Sequence, residues 1–258
     1  MGGRRAGEAL VLTVGLLWAG FLPPVASGEE NAAAARIEAM AKFLATVPRL
    51  AVVVDCAYDV VQESGEKIEF GERRELTLRR PDRARFEVTR RDGSRRGVVF
   101  DGALLTAFDL DQKVYSTVSR PGTVDAALSY FTRDLKMRLP LRELFAADLP
   151  GRLEGVLDSA RSVGKETIGG VATDHVAFRG DTADVQLWIA RDGDPLPRRM
   201  VITYRMAEGQ PQFAADFRDW NLNPEVPDSA FAFAPAAGAE KIPILTPGRG
   251  RRAGEPQP

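Results

Sequence analysis

One histidine, one cysteine, 36 carboxylates and 35 basic side chains are the groups in this 258-residue chain that could do chemistry. His175 sits in an alternating run. Thr173 and Arg179 share its face while Val176 and Phe178 point the other way, the pattern of a solvated or hydrogen-bonded structural histidine rather than a general base. Cys56 lies within Val52-Val53-Val54-Asp55-Cys56-Ala57-Tyr58 and reads as a small buried hydrophobe. No cationic or histidine neighbour in sequence lowers its pKa, and without a second cysteine it forms no internal disulfide. One Cys and one His supply neither zinc-ligand spacing nor a nucleophile–histidine–acid set, and no G-x-S-x-G occurs. Val163-Gly164-Lys165-Glu166-Thr167 glances at a phosphate loop but lacks its first glycine and carries Glu where Ser or Thr belongs. Asp109-Leu110-Asp111 reads as a hairpin turn, without the calcium-loop pattern around it. The expectation is a protein that is not an enzyme and holds no metal or cofactor.

One charge feature stands out: residues 72–96 hold ten Arg against five acids. Two readings fit it. The run is the solvated convex face of strands, with Arg guarding against edge pairing. Alternatively it is a contact surface for anionic lipid head groups or an acidic protein partner, since the planar guanidinium binds two oxygens at once. The chain as a whole is too nearly neutral to suggest nucleic-acid binding.

Strands must position these groups. Leu76 to Ser119 alternates with period two and is cut by Arg80-Pro81-Asp82, Asp92-Gly93-Ser94, Asp101-Gly102 and Asp111-Gln112, which predicts a meander of about five strands. Before it, Asn31 caps a helix from Ala32 to about Val47, with Ile37, Met40, Ala41, Leu44 and Val47 on one face and Pro48 as its stop. Leu50 to Gln62 and Lys67 to Arg80 are two long strands. Val52, Val54, Cys56, Tyr58 and Val60 share one face of the first; Ile68, Phe70, Leu76 and Leu78 share one face of the second, where Gly71 suits a bulge or bend. After Pro121-Gly122 the period turns helical. Thr123 caps a segment to about Met137 with Val124, Ala127, Leu128, Phe131 and Leu135 near one face, and Leu141–Ala147 and Arg152–Asp158 read as two short helices. Strands resume at Ser159–Ile168, Val171–Arg179, Asp184–Ala190, Arg198–Met206 and Gln212–Trp220. The sum is one domain, residues 29–244, mainly β with α: about eleven antiparallel strands, an N-terminal helix and a central helical insertion. A sheet of that size curls, and helices at its start and middle cover or plug its concave face.

The ends read differently. Arg4 and Arg5, the apolar run Ala9 to Leu22, Pro23-Pro24 and the small residues Val25 to Gly28 mark residues 1–28 as a secretory signal peptide, with an uncleaved anchor as the alternative. The paired arginines leave twin-arginine export open beside the ordinary secretory route. Its removal takes away two Arg and one Glu, leaving a mature chain of net charge −2 without a transmembrane span. Residues 245–258, rich in Pro, Gly and Arg, read as a disordered tail.

Signal peptide, helix, long strand pair, the R-P-D-R and F-D-G-x-x-L-T-x-F-D meander and the helical insertion together resemble the periplasmic lipoprotein-carrier (LolA/LolB-like) superfamily. Arg80-Pro81-Asp82-Arg83, Phe100-Asp101-Gly102, Val114-Tyr115, Pro121 through Leu128, Gln186-Leu187-Trp188-Ile189, Pro195-Leu196-Pro197-Arg198 and Trp220-Asn221-Leu222 look like DUF2092, a family of predicted periplasmic proteins. The resemblance covers about residues 31–244. It implies a half-open antiparallel β-barrel with a helical lid over an apolar cavity. It also implies a buried Arg that holds the lid shut, for which Arg83 and Arg85 are the candidates.

The functional expectation is a periplasmic, non-enzymatic, monomeric protein that holds a lipid or other hydrophobic ligand in the concave face. The alternative is an envelope sensor or interaction protein that binds a protein partner there, as another branch of the superfamily does in envelope-stress signalling. Phe70, Leu78, Arg83, Arg85, Leu128, Phe131, Leu135 and Trp188 are the candidate ligand contacts. Trp188 alternates away from Val185, Leu187 and Ile189, so one of these two faces lines the cavity. Phe131 is either a lid residue or core filling. The N-terminal pattern predicts that the exported protein begins near Glu29; its intact mass checks this, and retention of residues 1–28 contradicts it.

Overall fold

The structure, a computed structural model, describes residues 27–134 and 141–243. Leu135, the stretch to 140, the leader through 26 and the tail from 244 lie outside the described residues.

Helix α1 (Ser27–Thr46) leads into two thirteen-residue strands, β1 (Arg49–Val61) and β2 (Lys67–Arg79). They pair without a break from Arg49↔Arg79 to Val61↔Lys67. The expected bulge at Gly71 is therefore absent. Gly71 instead makes room: a Cβ there would lie 2.3 Å from the Arg91 side chain, which crosses the strand at that point. The helix begins ahead of Asn31, which lies inside it rather than at its cap.

The meander continues through β3 (Arg83–Arg90), β4 (Arg95–Phe100), β5 (Leu104–Asp109) and β6 (Val114–Ser119). The insertion follows as α2 (Val124–Ser129), a π-helical turn (Tyr130–Asp134), a 3-10 turn (Glu143–Phe145) and α3 (Leu149–Leu157). Two expectations shift here. The helix capped by Thr123 keeps α geometry for only six residues, and the helix expected at Leu141–Ala147 is a single tight turn. Thr123 does cap α2, its hydroxyl accepting the Ala126 amide at 3.3 Å. α3 starts earlier than expected because Pro150 sits in its first turn, where a missing N–H costs nothing.

The second half is β7 (Arg161–Ile168), β8 (Val171–Arg179), β9 (Ala183–Ala190), β10 (Pro197–Tyr204) and β11 (Gln212–Asn221). A twelfth strand, β12 (Glu240–Lys241), ends a strap that leaves β11 and runs over the outer face. All twelve form one open sheet in the order β12-β6-β5-β4-β3-β2-β1-β11-β10-β9-β8-β7. The first and last long strands close the middle, Ala57↔Ala214 and Tyr58↔Phe213, and only β12 on β6 runs parallel. The sheet curls into a half-barrel.

The concave face is covered in two pieces. α1 lies against β7, β8 and β9 and beside α3. Its stripe Ile37, Met40, Ala41 and Leu44 is fully buried together with Leu50, Val52, Val54, Leu187, Ile189, Ala215 and Phe217. The strap covers part of the convex face: Arg79 binds Asp228, Arg85 donates to the Ala230 carbonyl at 3.0 Å, and Phe231 is buried beneath the Arg79 guanidinium. Much of the arginine-rich run is thus spent on internal partners, as Arg73 on Glu75 and Arg91 on Glu69 also show.

Leu187 sits 2 % exposed on the α1 side of β9. Leu187→Asp places an unpaired charge in that packing at a cost of several kcal/mol against a total stability of about 5–15 kcal/mol. The variant is expected to lose its cooperative thermal transition; a melting temperature equal to wild type contradicts the register.

Candidate functional site

The other half of the concave face is not filled. Leu76 and Leu78 of β2, Ala84, Phe86 and Val88 of β3, Val98 and Phe100 of β4, and Leu105 and Ala107 of β5 form one wall of a cavity of about 360 Å³. Val124, Ala127 and Leu128 of α2, with Leu141, Arg142 and Phe145, roof it. The wall is the even-numbered face of β2, β3 and β4, set by the unbroken registers Leu76↔Phe86, Leu78↔Ala84 and Phe86↔Val98. Gly97 allows its neighbours to close up, since a Cβ there would sit 2.6 Å from both the Phe108 ring and the Phe86 carbonyl oxygen.

The roof is pinned by Arg80. Its Nε donates to the Val47 carbonyl at 3.2 Å, and its Nη2 donates to the carbonyls of Leu44 at 3.3 Å and Phe145 at 2.9 Å. Leu44 lies in the last turn of α1 and Val47 just beyond it, where carbonyls lack helical partners. Phe145 belongs to the roof. Asp125 stands 4.0 Å from the same guanidinium and accepts the Ala147 amide at 3.0 Å. Burial pulls the Arg80 pKa down from its ordinary value and Asp125 opposes it. Arg142 adds a second tie within the roof, its Nη2 donating to the Ser129 hydroxyl at 3.1 Å. The lid-holding arginine expected at Arg83 or Arg85 is therefore neither of these. Arg83 pairs with its neighbour Asp82 at 2.9 Å, and Arg85 binds Glu87 and the strap. Both lie on the odd-numbered, convex face of β3.

Leu78 and Leu128 both line the cavity, one from the wall and one from the roof. Phe70 shares the concave face but lies beyond the cavity, 45 % exposed and stacked on Tyr58 at 6.1 Å between ring centres. Trp188 is on the other side of the sheet. Its ring stacks on His175 at 4.0 Å, with the Arg199 guanidinium 5.7 Å away. His175 is hydrogen-bonded to Glu166 at 2.8 Å and Gln186 at 3.0 Å, a structural histidine under an aromatic ring. Phe131 has its backbone in the π-helical turn; its side chain, like all of Leu135, lies outside the described residues. Cys56 is buried, and burial pushes its thiol up to about 12, which keeps it protonated and unreactive.

The end of the cavity away from the roof holds charge that the reading of sites above did not include. Glu72, Arg74 and Arg96 line it. Glu72 Oε1 accepts from Arg74 Nε at 2.7 Å and lies 2.6 Å from its Nη2 in an ion pair, and Glu72 is 6 % exposed. The signal was present: these residues share the parity of Leu76 and Leu78 on β2, so they are charges on an apolar face. Among the described residues no three His, Cys, Asp or Glu side chains gather to hold a metal, and no helix is long and apolar enough to cross a membrane.

A family model described as predicted periplasmic protein (DUF2092) matches residues 33–245. Among solved structures, the chain is similar to the lipoprotein LppX of Mycobacterium tuberculosis at 16 % identity and TM-score 0.46, covering 76 % of this chain and 99 % of that one. It is similar to a LolA-superfamily protein of Nitrosomonas europaea at 13 % and 0.40, covering 78 % and 97 %. It is also similar to the MucA/MucB complex structure of Pseudomonas aeruginosa at 15 % and 0.42, covering 79 % and 61 %. No curated protein matches the sequence.

Arg80→Ala removes the donors to three carbonyls and is expected to cost about 2–4 kcal/mol in urea unfolding. It is also expected to open the roof to proteolysis. Arg83→Ala, on the convex face, is expected to stay within about 0.5 kcal/mol of wild type. Equal effects of the two changes contradict the strut.

Proposed function

The chain belongs to the DUF2092 family of predicted periplasmic proteins, and we propose that it is a non-enzymatic periplasmic binding protein whose cavity takes the apolar part of a lipid or other hydrophobic ligand. The observation that carries this reading is the unfilled space itself. Protein interiors are packed as densely as organic crystals, so an apolar void under a separate roof is costly unless something occupies it. Its volume of about 360 Å³ falls in the range of small-molecule sites. Among its described lining residues there is no Ser, Thr, Tyr, Cys or His, so the wall offers apolar surface to bind and no hydroxyl, thiol or imidazole to react. Leu78 and Leu128 are the first contacts, with Phe131 and Leu135 as further lid contacts. Export with cleavage of residues 1–28 and a single folded unit from 29 to 244 belong to the same reading.

A second reading has one observation in its favour. Val60, Ile68 and Phe70 are 39 %, 46 % and 45 % exposed, and together with Tyr58 they extend the apolar face past the cavity. Such a ledge suits a partner polypeptide.

Protein stripped of lipid is expected to bind a fluorescent acyl probe saturably at one site. Ala107→Phe, which fills the cavity from β5, is expected to weaken the probe by tenfold or more, about 1.4 kcal/mol, without loss of melting temperature. Failure of the wild-type protein to bind probes of several chain lengths removes the lipid reading and favours the partner polypeptide.

A further inference from the structure

The charged end of the cavity is built as a row. Val54↔Arg74, Arg74↔Val88 and Val88↔Arg96 are successive register pairs, so Arg74 and Arg96 stand on the same concave face with one valine between them. Glu72 follows one step along β2, opposite Cys56. Arg74 is fixed. Its Nε donates to Glu72 Oε1 at 2.7 Å, its Nη2 lies 2.6 Å from the same oxygen in an ion pair, and its guanidinium lies 5.1 Å from the Phe213 ring centre and 5.9 Å from that of Phe86. Arg96 is not. Its partner among the described residues is Glu72 Oε2 at 3.8 Å, beyond hydrogen-bond range, and that oxygen is buried without a hydrogen bond. Asp109, the register neighbour of Arg96, turns its Oδ1 to the amides of Asp111 and Gln112 at 3.1 and 2.9 Å.

The lining cluster therefore has two guanidiniums for one carboxylate, and the carboxylate is already satisfied at one oxygen by the fixed arginine. The excess positive charge sits at the rim of an apolar space, on a half-exposed side chain whose planar fork reaches Glu72 only at 3.8 Å. A fork of this kind matches the paired oxygens of a carboxylate or phosphate. From the Arg74 row to Leu78 is four residues of strand, about 13 Å at 3.3 Å each, the length of an extended chain of on the order of ten carbons. The volume sits near the lower end for such sites, which suits one chain rather than several.

We propose that the ligand is a single-chain amphiphile with an anionic head, its carboxylate or phosphate seated on Arg96 beside Arg74 and its tail running between Leu78 and the α2 roof. This rests on the apolar-cavity reading and adds the polarity and direction of the ligand. Glu72 is the positioning residue: it holds Arg74 in the row and keeps the second guanidinium near it.

Calorimetric titration of lipid-stripped protein with laurate and with dodecanol, equal in chain length, tests the head. Laurate is expected to bind about tenfold tighter. Arg96→Gln is expected to abolish most of that preference while leaving dodecanol affinity within about twofold. Arg95→Gln removes the same charge from the opposite face of β4 and is expected to retain the preference. Arg96→Lys keeps the charge without the fork and is expected to retain part of it. Equal binding of laurate and dodecanol to wild type, or a laurate preference untouched in Arg96→Gln, overturns the head-group assignment and leaves the apolar cavity standing. Binding of neither overturns both.

Discussion

Three carbonyl oxygens from two separate covers converge on one guanidinium, that of Arg80. A curled sheet of this width has more apolar concave surface than one helix can bury. Two covers are needed, and they come from distant parts of the chain: α1 from the start, the roof from the middle. They meet where α1 packs beside α3 and the 3-10 turn. The exposed carbonyls at the end of α1 and at Phe145 are weak points in both, and a buried cation between them satisfies each end with charge-assisted bonds. Asp125 balances the charge and fastens the far side of the roof through Ala147.

The two covers do unequal work. α1 is a long amphipathic helix whose stripe packs on β7, β8 and β9, and that half of the molecule is a conventional core. The roof over β2 to β5 is short and broken, with a π-helical turn where α geometry would have continued. It spans the space without filling it. The asymmetry divides the molecule: one half is packed through, and the other carries a void. The charged row at the far end of that void gives it a direction.

Most of the scaffold was legible because period-two alternation and Asp-Gly turns are local. The faces of β1 and β2 came out as read, while on β9 the alternation set Trp188 apart from Leu187 and Ile189 and left open which side faces inward. What escaped was whatever depended on a distant partner. Arg80 lies in a turn, outside any alternation, and its acceptors are 33, 36 and 65 residues away. Arg83 and Arg85 were plausible only because their side of β3 cannot be told from the other until the register is known. Trp188 looked like a cavity residue by type, yet it belongs to the convex stack with His175. β12 is two residues long and carries no pattern at all. Glu72 and Arg74 could have been found, since two charges interrupting the apolar parity of β2 are visible in the sequence; what was missing was the closed wall that makes them the end of a cavity.

The pairing of β1 with β11 sets an order of events. Ala51 faces Asn221, so the strand made first waits for a partner about 170 positions later, and β6 waits for β12 at the very end. Until β11 and β12 have emerged, β1 and β6 each keep one edge without its neighbour, although α1 and the α2 roof are already made. Topologies dominated by such distant pairings fold slowly. Loss of the strap and β12 should be felt on the convex side of β2, β3 and β6 at once, because Arg79 and Arg85 bind the strap and β12 lies on the edge strand β6.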